Sequence, residues 1–138
     1  MIGILVVTHG QLSEQLLATA ALIMGPAEAA KAITFSAKES LEDLKLKTAV
    51  AANEFLENGC LILTDIMGGS ATNVSIEIMK SRTDVEVVTG VNLPMLVEAL
   101  SAREDLSLKE LAARIAASGT KSIINLKEFF EKRAAKRV

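Results

Sequence analysis

The sequence predicts an α/β fold in three layers, a mostly parallel sheet with helices on both faces. Three observations carry that prediction. Short apolar runs alternate with longer amphipathic segments four times along the 138 residues, and parallel neighbours need crossover segments of that length. The runs are nearly unbroken in Ala, Val, Ile and Leu, as in strands covered on both faces. Half of the chain is hydrophobic, yet it has four Phe and neither Trp nor Tyr, so the core must be aliphatic.

The elements follow in order. "IGILVVT" (Ile2 to Thr8) reads as the first strand. Ser13 is positioned to cap a helix running to Met24, with Leu16, Leu17, Ala20 and Ile23 on one face and Gly25-Pro26 as its stop. "KAITFS" (Lys31 to Ser36) is the second strand. A long helix follows, capped by Ser40 with Asp43 as the acidic arm of a capping box and ended by Gly59. "CLILTD" (Cys60 to Asp65) is the third strand. A glycine pair then leads into a helix from about Thr72 to Ser81, and "VEVVTG" (Val85 to Gly90) is the fourth strand. Helices over Pro94 to Ala102 and Ser107 to Ala117 follow. "KSIINL" (Lys121 to Leu126) reads as a short fifth strand, and 127–138 as a charged helix or tail. With no Pro/Ser-rich linker, repeat or low-complexity stretch, residues 1–126 make one domain.

Right-handed crossovers leave few topologies for four such units, and the usual one is the flavodoxin-like strand order 2-1-3-4. Strands 1 and 3 are then neighbours whose crossovers leave toward opposite faces, and ligands bind in the crevice at their carboxyl ends. His9, the only histidine, ends strand 1, and Asp65 ends strand 3. The topology alone brings them together.

Three stretches meet at that crevice: "THG" (Thr8 to Gly10), "TDIMGGSATN" (Thr64 to Asn73) and "TGVNLPM" (Thr89 to Met95). Gly68 and Gly69 allow a tight turn and close approach to a ligand. Ser70 and Thr72 open a helix whose unpaired N–H groups and dipole favour an anion. A carboxylate bonded to one imidazole nitrogen fixes the tautomer and leaves the other free to attack. The combination suits phosphoryl transfer, which depends on positioning and charge stabilisation. His9 is the candidate acceptor, Asp65 its orienter, and Gly68, Gly69, Ser70 and Thr72 the phosphate holders. Helix capping by Ser70 and Thr72 is the competing reading.

Other chemistries lack their residues. The chain has no G-x-x-x-x-G-K-[ST], no G-x-G-x-x-G and no G-x-S-x-G. One His and one Cys give no metal-site spacing, so neither metal nor cofactor is expected. Net charge is −2, and aromatic platforms are scarce, which argues against nucleic acid. The single Cys60 reads as a buried small hydrophobe in a reducing compartment. No apolar run reaches the ~18 residues of a membrane span, and the N-terminus has no basic leader; a cytoplasmic location is expected.

"GILVVTHG", "LILTDIMGGSATNVS" and "VVTGVNLPMLVEAL", in that order and spacing, resemble the enzyme IIA domain of the mannose-type (mannose/fructose/sorbose) phosphoenolpyruvate:sugar phosphotransferase system, over roughly residues 1–125. The resemblance implies a phosphohistidine at His9, an imidazole hydrogen bond from Asp65, and Ser70 near the phosphate. It implies a phosphoryl carrier that accepts from the phosphocarrier HPr and passes the group to a IIB component, here a separate protein, for sugar uptake. Association with a membrane would be indirect, through a IIC/IID permease. It also implies a homodimer, with Lys121 to Leu126 as a strand exchanged between subunits. The chain departs from the common pattern at Ala71 and Thr72, where many members have Pro and Phe, and at Ile66-Met67, where Leu-Phe is common. Two alternatives accompany this reading: a regulatory, phosphorylation-sensing or anion-binding module of the same fold, and the phosphoryl-donor component of a dihydroxyacetone kinase.

Overall fold

The two most apolar runs of the sequence become the two central strands. In β1 (Gly3–His9) every residue from Gly3 to Thr8 is buried and only His9 emerges, while β3 (Cys60–Thr64) is buried throughout. β2 (Ala30–Phe35) and β4 (Val85–Thr89) flank them, giving the order β2-β1-β3-β4 with every pair parallel. This is the predicted order. The computed structural model describes residues 1–55 and 57–136.

Side chains alternate across the sheet, so one strand feeds two cores. Ile4 and Val6 with Leu61 and Leu63 face α1 (Leu12–Met24), α4 (Leu93–Ala102) and α5 (Leu108–Lys121). Leu5, Val7 and Ile62 face α2 (Leu41–Asn53) and α3 (Ser70–Lys80). Burying each such side chain contributes about 1.5–3 kcal/mol, and the double coverage explains the unbroken runs. Cys60 lies at 0% exposure in the second core, and burial pushes its thiol pKa up to about 12. It acts as the small hydrophobe expected of it, not as a nucleophile. At the opposite end of the sheet from His9, the buried Arg103 guanidinium donates to the carbonyls of Ile2 and Ala29 at 3.1 and 3.0 Å and to that of Glu28. It ties the start of β1 to the loop before β2.

The Ser40–Asp43 capping box forms as read, with Asp43 N–H donating to the Ser40 hydroxyl and Ser40 N–H to the Asp43 carboxylate. Ser13 does not cap α1. The N-cap is Gln11, and Thr8 Oγ1 accepts from Ser13 N–H at 2.8 Å, so a strand-end hydroxyl satisfies the first turn. Ser13 Oγ instead donates to the Ile33 carbonyl of β2. α2 ends at Asn53, before the Gly59 stop. α3 begins at Ser70 rather than Thr72, because Gly69 already occupies the N-cap.

The fifth strand is a correction. Lys121 belongs to α5, residues 123–125 have no regular structure, and Leu126 begins α6 (Leu126–Lys136). α5 runs four residues past the expected end at Ala117, with Gly119 packed closely against Met95 within the helix. Ser118 and Thr120 hydroxyls bond back to Ile115 and Ala116 carbonyls. A strand also needs a ladder partner, and among the described residues none pairs with Ile123 and Ile124, which are 80% and 50% exposed. The charged C-terminal stretch is helical to Lys136 with no buried residue; Arg137 and Val138 lie outside the described residues.

Candidate functional site

β1 ends in His9 and β3 in Thr64, which places Asp65 one residue past the neighbouring strand. Asp65 Oδ2 accepts two hydrogen bonds from His9, one from its backbone N–H and one from Nδ1, both at 2.9 Å. Asp65 Oδ1 accepts from Ile66 N–H at 3.0 Å. An ionised carboxylate only accepts, so Nδ1 carries a proton and Nε2 is the ring nitrogen available for chemistry. The His9 side chain is 49% exposed and that of Asp65 14%. Partial burial works to raise the Asp65 pKa, but the backbone and side-chain hydrogen bonds from His9 outweigh it and hold the carboxyl below its ordinary value.

The loop after Asp65 explains the glycine pair. Gly69 N–H donates to the Ile66 carbonyl at 3.2 Å, closing a four-residue turn in which Gly68 has φ +84°. A positive φ at the third position is what a type II turn demands, and glycine meets it without strain. Gly69 serves a different need. A Cβ there would lie 2.8 Å from His9 Cε1 and 3.0 Å from Ile66 Cγ2. The imidazole therefore rests against the N-cap of α3. No side chain caps that helix, so its first-turn N–H groups and the positive end of its dipole remain open to an anion. Gly69→Ala should keep the fold, since φ −77° suits alanine. It should displace the ring and slow any reaction at Nε2 roughly 10–100-fold. Thermal unfolding measured beside activity checks this, and an unchanged rate would contradict it.

The predicted site residues do not all serve one purpose. Asp65 and Gly69 meet the His9 imidazole directly, while Gly68 forms the turn that leads to Gly69 and half-buried Ser70 opens α3 behind it. Thr72 does not join them at the surface. It is 2% exposed, and its hydroxyl bonds the Ile66 carbonyl at 2.7 Å, Thr64 Oγ1 at 2.7 Å and Thr89 Oγ1 at 3.2 Å. Its side chain is internal, so its hydroxyl is not presented to a ligand as the sequence reading expected. Sequence reasoning did not assign a role to Phe35, whose ring meets the imidazole edge-on at 6.3 Å between centroids. It also gave none to the hydroxyls of Thr8, Thr64 and Thr89. The signal was present, because β1 carries a Thr beside its last residue and β3 and β4 both end in one. Around the site Ile66 and Met67 are 59% and 72% exposed, an apolar rim beside a half-exposed histidine.

The sequence and the fold have close parallels. The family model described as "PTS system fructose IIA component" matches residues 3–116. The chain is 40% identical over 128 residues to the mannose-specific EIIAB component of Escherichia coli K12, an alignment covering 91% of this chain and 40% of that protein. It therefore spans about two fifths of that relative's length. It is 31% identical to the fructose-specific EIIA component of Bacillus subtilis, over 96% of this chain and 91% of the other. Among solved structures, the phosphotransferase system component EIIA from Streptococcus agalactiae superposes with a TM-score of 0.87 at 30% identity, covering 93% of this chain and 99% of that one. No helix among the described residues is long and apolar enough to cross a membrane. A matched family model over most of the chain, the predicted sheet order and relatives of the same class agree: the chain belongs to the mannose-type EIIA family of the sugar phosphotransferase system.

Proposed function

We propose that this chain is a phosphoryl carrier that accepts its group on His9 Nε2 from HPr and delivers it to a IIB component, with a IIC/IID permease downstream. One observation carries the reading: Asp65 binds His9 Nδ1 at 2.9 Å while the ring lies against the uncapped N-terminus of α3. In the transfer the Nε2–P bond forms as the bond from phosphorus to the donor's leaving atom breaks. The ring becomes cationic, and Asp65 opposite Nδ1 balances that charge. First-turn N–H groups of α3, with Ser70 beside them, stabilise the phosphoryl oxygens, whose negative charge complements the helix dipole. No proton has to leave the Nδ1–Asp65 bond, so the same arrangement serves acceptance and delivery.

The apolar rim of Ile66 and Met67 suits a protein donor and acceptor docking around the imidazole. A cytoplasmic location follows from that exchange with HPr. We also read the chain as a homodimer. β4 is an edge strand, and Ile123, Ile124 and Leu126 expose 80%, 50% and 61% of their surface, as a segment held by a second subunit would when seen alone. Sedimentation should give twice the chain mass; a monomer at all concentrations would contradict it. Incubation with phosphoenolpyruvate, enzyme I and HPr, followed by a IIB protein, should load and then unload the chain. A chain that loads but never unloads is a phosphorylation sensor instead.

A further inference from the structure

Behind the site lies a cluster of three hydroxyls, two of them buried and that of Thr89 half-buried. Thr64 and Thr89 are paired residues at the ends of β3 and β4, and Thr72 lies in the first turn of α3. Thr64 and Thr72 are 0% and 2% exposed. The Ile66 carbonyl can only accept, so the single Thr72 proton goes to it at 2.7 Å. Thr64 and Thr89 must then donate into the two lone pairs of Thr72 Oγ1, at 2.7 and 3.2 Å. The proton count permits one arrangement, and it satisfies every group of the hub.

That hub holds one point of the active-site loop. The Ile66 carbonyl accepts both Thr72 Oγ1 and Gly69 N–H, so it closes the turn that carries Gly69 against His9. On the other side of the same residue, Ile66 N–H binds Asp65 Oδ1 while Oδ2 binds His9. Ile66 thus links the hub to both the orienting carboxylate and the glycine against which the ring rests. Its own side chain is 59% exposed, so little packing fixes it and the carbonyl bond has to.

We propose that Thr72, supported by Thr64 and Thr89, is a positioning residue: through the Ile66 carbonyl it sets the Asp65–Gly69 loop and thereby the His9 ring and its tautomer. The proposal rests on His9 being the phosphoryl acceptor. It differs from phosphate holding by Thr72, because the hydroxyl faces inward and its hydrogen-bonding capacity is used.

Thr72→Val keeps the shape and deletes the hub, while Thr72→Ser keeps the hydroxyl. Thr72→Val should slow phosphoryl acceptance roughly 10–100-fold, as small misplacements of reacting groups do, and serine should restore it to within about threefold. Nitrogen-15 NMR of the His9 imidazole, which needs no phosphoryl donor, should show the protonated-Nδ1 signature in wild type and Thr72→Ser and its partial loss in Thr72→Val. Should Thr72→Val not fold, Thr89→Val removes one donor and leaves the carbonyl bond; its imidazole signature should shift in the same direction, less far. Unchanged imidazole signals in the folded variant overturn the proposal, as does a slowed Thr72→Val that serine fails to rescue. Failure of wild type to take a phosphoryl group while the signals move as expected would overturn the carrier reading and leave the hub's role standing.

Discussion

His9→Ala should abolish phosphoryl acceptance and leave the fold in place. The chain has no second histidine, so no neighbouring imidazole takes over. Cys60, the other soft nucleophile, is fully buried with its thiol pKa pushed up to about 12. The stability cost is small because the side chain is half exposed and the backbone N–H bond to Asp65 Oδ2 survives. What is lost is the Nδ1 hydrogen bond to an ionised carboxylate, worth at most about 1.5–3 kcal/mol and less at a half-exposed ring, where solvent screens it. Circular dichroism and thermal unfolding beside a phosphorylation assay check both halves. A folded variant that still takes one labile phosphoryl group would remove His9 from the mechanism.

Asp65→Asn should slow transfer at least ~100-fold, in the direction seen when a tautomer-fixing carboxylate becomes an amide. The hydrogen-bond inventory gives the reason. Asp65 accepts three bonds on two oxygens, two of them on Oδ2 from His9. An amide has one oxygen. If that oxygen faces His9, the NH2 opposes Ile66 N–H. If it faces Ile66, the NH2 opposes His9 N–H and donates to Nδ1, which moves the ring proton onto Nε2 and blocks the nucleophile. Either orientation also removes the charge that balances the phosphorylated ring.

The carboxyl has a signature in pH as well. Its folded pKa lies below the ordinary value because the His9 hydrogen bonds outweigh partial burial. Its contribution to stability is therefore complete above the unfolded pKa of about 3.9 and is lost as pH falls through the lower folded value. Asp65→Asn should flatten that part of the acid-unfolding curve. An unchanged transfer rate would exclude Asp65 from the chemistry.

How much of this was legible in the sequence depended on the physics that fixed each part. The sheet order followed from apolar runs separated by crossover-length segments, since handedness leaves few arrangements. The pairing of His9 with Asp65 followed in turn, because the topology fixes which strand ends are neighbours. Helix starts were less legible. Ser40 capped as read because its acidic partner lies three residues on, whereas Ser13 lost its role to Thr8, a competitor five residues earlier but adjacent in space. Thr72 shows the same limit more sharply. A hydroxyl at a helix start serves equally as cap, ligand or buried link, and only the positions of Thr64, Thr89 and the Ile66 carbonyl decide among them. For Lys121 to Leu126 the β-branched Ile pair suggested a strand, yet a strand is a property of two segments. One chain supplies only the first.

The most direct test of the carrier mechanism is intact-mass analysis after incubation with phosphoenolpyruvate, enzyme I and HPr, with His9→Ala in parallel. One acid-labile phosphoryl group on the wild type, mapped to His9 and absent from the variant, is the predicted result. No modification of the wild type, or an equal gain on His9→Ala, would contradict it.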